Sequence, residues 1–100
     1  MDKKPKYCKL IKTDGSVTNY PPANGKKYTL KELQAAVGGL ITFVDTKDGK
    51  ATFVCHDEAL LVAEPQYNVV ATMMAIALTG LAYELFGDVL LVSMDYIDTE

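Results

Sequence analysis

The sequence contains no arginine, a single histidine and only two cysteines in 100 residues. The missing arginine counts against nucleic-acid binding, because bidentate contacts to phosphate and guanine favour the guanidinium fork. One histidine offers little to a metal site. Two thiols, Cys8 and Cys55, are too few for a disulfide framework or a four-ligand zinc centre, so both read as reduced. Neither a metal nor a cofactor is expected. The charge-free stretch from Gln66 to Tyr83 is shorter than the ~20 residues a bilayer span needs. The start, MDKKPKYCKL, carries charge with no apolar segment behind it, unlike a secretory signal. The expectation is a soluble cytoplasmic protein with no membrane contact.

The second half of the chain also lacks bases. Residues 1–50 hold all ten lysines and five acids, a net of +5, while residues 51–100 hold eight acids, a net of −8. Such polarity can drive self-association or present an acidic face to a basic partner. If the two halves interleave in the fold, the charges mix instead.

What remains is ordinary globular composition, 49% apolar and 23% charged, enough for one small core. The chain reads as a single domain over residues 1–100, with 1–5 and 95–100 as fraying ends. Lys6 to Lys12 is strand-like, Thr13-Asp14-Gly15-Ser16 is a turn, and Val17 to Tyr20 completes a hairpin that Pro21-Pro22 ends. Thr29-Leu30-Lys31-Glu32 forms a capping box, in which the threonine and glutamate side chains satisfy each other's backbone amides. Leu30, Leu33, Ala36 and Val37 then share a helical face, and Gly38-Gly39 supplies the stop. Leu40 to Val44 and Ala51 to Cys55 flank an Asp48-Gly49 step, a second hairpin.

The stretch from Gln66 to Tyr83 is uncharged throughout. Asn68 is the expected N-cap of a helix from Val69 to Leu78. Val69, Met73, Ile76 and Ala77 form one stripe on it, and Val70, Met74 and Leu78 a second. A helix apolar all round is normally buried all round, and a two-layer core cannot easily cover both sides. Either this helix is central to the core, or a second chain covers one face. Asp88 to Ser93 reads as a last strand buried on both faces. The fold class is α+β: a mostly antiparallel sheet of about five strands with one short capped helix and one apolar helix packed on it.

Four groups of residues are candidates for function. The first is His56 with Asp57 and Glu58, a conceivable acid–base set for a small hydrolase. Cys55 reads as a small core residue, and it cannot pair with His56 unless the strand ends there, because adjacent strand residues point to opposite faces. The second is the polar turn Glu64, Gln66, Tyr67 and Asn68, where a base can stack on tyrosine and hydrogen-bond to the amides. The competing reading makes that turn a helix start, with Asn68 capping. The third is Val70, Met73, Met74 and Leu78, an expected oligomer interface. Lys3, Lys4, Lys6, Lys26 and Lys27 give a nucleic-acid reading its only support.

The order KELQAAVGGLITFV, FVCHDEALLVAEPQYNVVAT and GDVLLVS resembles a family of small phage and large-DNA-virus (algal virus-like) proteins known only as a domain of unknown function. The shared motifs are Leu33-Gln34 with Val37-Gly38-Gly39, then Asp57-Glu58, Pro65 with Asn68, and Gly87 to Val89. The resemblance implies a virus-encoded accessory protein acting inside an infected cell, and supplies no activity. The functional expectation is therefore a non-enzymatic, homo-oligomeric binding module. It would capture a nucleotide-like ligand or a host protein to counter host defence; a hydrolase or a nucleic-acid-binding accessory protein is the alternative.

Overall fold

The computed structural model describes residues 7–58, 65–81 and 84–97. In chain order these form β1 (Cys8–Ile11), β2 (Val17–Asn19), α1 (Leu30–Val37), β3 (Ile41–Asp45), β4 (Ala51–His56), α2 (Val69–Thr79) and β5 (Val89–Ser93). The strands lie in the order β2-β1-β5-β4-β3, with every pair antiparallel. This is the α+β sheet with two helices that the sequence predicts. The run Ala59 to Ala63, whose composition reads as a short strand or an irregular return, lies outside the described residues.

β5 runs through the centre, and all five of its residues are buried. That placement is what the continuous apolar run Val89-Leu90-Leu91-Val92 requires, since each face of the strand presents two large side chains. Val89 and Leu91 join Ile11, Phe53, Cys55, Ala71 and Ala75 on one side of the sheet. Leu90 and Val92 join Leu10, Val54, Leu33, Val37 and Tyr28 on the other. The helices therefore pack on opposite faces, giving three layers instead of the two-layer core expected above. The sheet order also interleaves the halves of the chain: β4 and β5, from the acidic half, sit between β1 and β3 from the lysine half.

α1 begins as its sequence dictates. Thr29 Oγ1 accepts from the Glu32 amide at 3.1 Å, and the Glu32 carboxylate accepts from the Thr29 amide at 2.7 Å and the Ala23 amide at 2.8 Å. The amides of Thr29 and Ala23 hold the Glu32 carboxyl below its usual range. Gly38 closes the helix at φ 89°, a left-handed conformation natural to glycine. Thr29→Ala is expected to lower stability by about 1 kcal/mol, read as a melting temperature about 4–8 °C lower. An unchanged melting curve would show that the box contributes nothing.

α2 solves its packing by size, since polarity offers it no guidance. Its small residues Ala71, Thr72, Ala75 and Thr79 are buried against the sheet. The two threonines are satisfied: Thr79 Oγ1 donates to the Ala75 carbonyl at 2.7 Å, and Thr72 Oγ1 accepts from the Leu85 amide at 2.9 Å. Val69, Met73 and Ile76 point away and are 53%, 66% and 47% exposed. Of the two alternatives, the one that buries this helix on every side within the chain's own core fails, because small residues let the backbone approach the sheet and leave the large ones outside. The tail packs further than expected as well. Ile97 is buried beside α1, the Tyr28 amide donates to the Tyr96 carbonyl at 3.0 Å, and Lys27 Nζ donates to the Ile97 carbonyl at 3.2 Å. These contacts hold Tyr96 and Ile97 on the α1 side of the sheet; 98–100 lie outside the described residues.

Candidate functional site

β4 ends at His56 and carries Cys55 just before it. The register sets His56 opposite Ile41 and Cys55 opposite Thr42, so the two side chains lie on different faces. Cys55 is buried in the α2-side core, and burial pushes its thiol up to about 12. A Cys–His pair is thus excluded by geometry and by chemistry.

His56 itself is half-buried. Its Nδ1 accepts the Glu58 amide at 2.9 Å, which places the proton of the neutral ring on Nε2. The ring lies over Gly39, where an added Cβ would meet Nε2 at 2.5 Å. The close approach explains the second glycine of Gly38-Gly39. The ring serves as a bracket between the β4 end and the α1–β3 turn. Asp57 and Glu58 are exposed, and no group of three or more metal-ligating side chains occurs among the described residues.

The polar turn before α2 divides into inward and outward residues. Glu64 lies outside the described residues. Gln66 is exposed, and its carbonyl accepts from the Gly87 amide at 2.7 Å. Tyr67 is 43% exposed, bridges to Phe86 and lies edge-on to its ring at a centroid distance of 5.4 Å. Asn68 is fully buried. Its Oδ1 accepts from the Ala71 amide at 3.0 Å, while Nδ2 donates to the carbonyls of Ile11 at 2.9 Å and Gly87 at 2.8 Å. With its donors and acceptor all turned inward, Asn68 has nothing to offer a ligand. The expected four-residue site therefore keeps only Gln66 and Tyr67 on the described surface.

The expected interface residues also separate. Met73 faces outward, whereas Val70, Met74 and Leu78 are half-buried against the chain's own core. The open stripe of α2 is Val69, Met73 and Ile76, with Leu81, 57% exposed, beyond the Gly80 cap. Sequence periodicity contained this stripe but could not say which side was out.

A second feature escaped the sequence reading. A groove of about 540 Å³ runs between the start of α1 and β3, lined by Lys27, Leu30, Leu33, Ile41, Phe43 and Ile97 among others. Leu30 and Phe43 are 59% and 45% exposed on its rim. Beneath lies a tyrosine cluster: Tyr20 stacks on Tyr28 at 6.1 Å, and Tyr28 meets Tyr96 edge-on at 5.9 Å. The Tyr20 hydroxyl donates to the Glu32 carbonyl at 2.9 Å, and that of Tyr28 to the Tyr20 carbonyl. Burial raises the Tyr28 phenol well above its ordinary value, so it stays a neutral donor. The alternation of Ile41 with Phe43 was the available signal for this surface.

These features define a small three-layer α+β domain with apolar side chains exposed on α2 and beside β3. No helix among the described residues is long and apolar enough to cross a membrane. The chain belongs to the family described as domain of unknown function (DUF3846), which matches residues 8–100. No curated protein and no solved structure matches it significantly.

Proposed function

We propose that this chain is a non-enzymatic binding module that acts as a small homo-oligomer and captures a protein partner on the outward stripe of α2. One observation carries the reading. Val69, Met73 and Ile76 recur at i, i+4 and i+7 on an uncharged helix and stand open to solvent. That spacing is how an amphipathic helix is held in an apolar groove of another protein. Large apolar side chains exposed as a group, unlike ones scattered singly, point to an interaction site.

The hydrolase reading is the weaker one, since His56 Nδ1 accepts the Glu58 amide and its ring packs over Gly39. The nucleotide reading has lost Asn68. A virus-encoded role in countering host defence, inside an infected cell, belongs to the same proposal and rests on motif order alone.

Met73→Glu tests the binding face. Met73 is 66% exposed, so the substitution is expected to leave stability within about 0.5 kcal/mol. Native mass spectrometry of protein taken from cells that produce it should show a second protein on the wild type. That species should be absent from Met73→Glu. Wild type carrying no second protein, or a partner retained equally by the variant, would remove α2 as the binding face.

A further inference from the structure

The sheet has two edges, and they are built differently. β2 is three residues long and is followed by Pro21-Pro22, features that blunt an edge against pairing. β3 is five residues of unbroken register, Ile41-Thr42-Phe43-Val44-Asp45, with no proline, lysine or bulge. Its backbone directions follow from two bonds. The Leu40 carbonyl accepts from the Asp57 amide at 2.7 Å, and the Thr46 amide donates to the Ala51 carbonyl at 3.0 Å. Even-numbered residues therefore turn toward β4. The N–H and C=O groups of Ile41, Phe43 and Asp45 turn outward, and no partner strand meets them among the described residues.

We infer that a second copy of this chain pairs antiparallel on β3 about a twofold axis at Phe43. The inference rests on the proposed self-association and names its contact. Three observations favour a second copy. First, the strand is self-complementary: opposing Phe43 to Phe43 also opposes Ile41 to Asp45, and no other twofold register pairs all three outward residues. About six inter-chain hydrogen bonds result. Second, the charges are compatible. Asp45 is the only charged residue of the strand, and the register sets the two carboxylates about 14 Å apart, beyond the ~8 Å screening length at physiological salt. Third, Phe43 and Leu30 stand exposed at this edge, on the rim of the α1–β3 groove. The register carries the second copy's Phe43 to the same rim. The groove then gains a wall from the other subunit, and its apolar rim is covered.

Site-specific cross-linking tests the register. Cys55 is buried, so a Cys8→Ser background leaves an introduced thiol as the reactive one. Hydrogen-bonded antiparallel neighbours lie about 5.5 Å apart at Cα, within disulfide reach. Mild oxidation of the Phe43→Cys variant is expected to give covalent dimer, and Ile41→Cys, whose two copies lie far apart, to give none. Hydrogen exchange on the unmodified chain supplies a readout that no substitution can disturb. The Phe43 amide should exchange about tenfold more slowly at millimolar than at tens of micromolar protein. Light scattering separates the possible failures. A dimer with no Phe43 cross-link and no concentration-dependent protection overturns the β3 contact while self-association stands. A monomer at millimolar concentration overturns both.

Discussion

Asn68→Ala is expected to cost about 3–5 kcal/mol, more than the loss of an exposed helix cap. The cap alone contributes about 1 kcal/mol. Here the same side chain also serves the Ile11 and Gly87 carbonyls. Its loss leaves buried polar groups without partners, at about 1–3 kcal/mol each. One amide thus ties the start of α2 to β1 and to the approach to β5. Asn68→Asp separates the roles: it keeps the acceptor for the Ala71 amide but turns a carboxylate oxygen toward two carbonyls. It should be at least as damaging as alanine. Urea unfolding measures both, and an alanine variant within 1 kcal/mol of wild type would refute the three-way role. Since small domains have ~5–15 kcal/mol in total, the variant is expected to fold only marginally.

Phe53→Ala is the other large effect, about 3–5 kcal/mol for a fully buried phenylalanine. Phe53 has no exposed surface and lies opposite Val44 on one side and Leu91 on the other. It forms the floor on which Ala71 and Ala75 of α2 rest. Those neighbours are small or held in strands, so little can move to fill the cavity. Phe53→Leu, which removes less volume, should cost markedly less. Denaturant midpoints at constant slope would confirm that the folded state lost packing; a loss under 1 kcal/mol for alanine would show that the layer is looser than its burial implies.

Local structure was legible wherever one residue type has one physical use. Thr29 and Glu32 announced the capping box, Asp48-Gly49 the hairpin, and the unbroken run of β5 a strand covered on both faces. The motif order pointed to a family of unknown function, and the family match agrees on that much. Legibility failed where chemistry was uniform or pairing was distant. On α2, Met73 and Met74 are the same residue in an uncharged helix, so polarity could not say that one faces water and the other the core. The answer lay in side-chain size, with Ala71 and Ala75 marking the buried side. Asn68 is equally at home in a polar loop and under a cap, and only its three partners distinguish the two. That β3 is an edge depends on β5 lying between β1 and β4, a pairing of residues far apart in sequence.

That central position of β5 also governs how the chain acquires its structure. Ile11 pairs with Val89, so the sheet joins its two halves only across most of the length of the chain. Each hairpin can form by itself, but neither has its middle neighbour until residues 89–93 have been synthesised. Topologies dominated by such distant pairing fold slowly, in milliseconds to seconds. During that interval the inner edges of β1 and β4 are unpaired strands with apolar faces, the species most prone to misassociate. Truncation before Val89 should therefore yield aggregation-prone hairpins and no smaller stable domain.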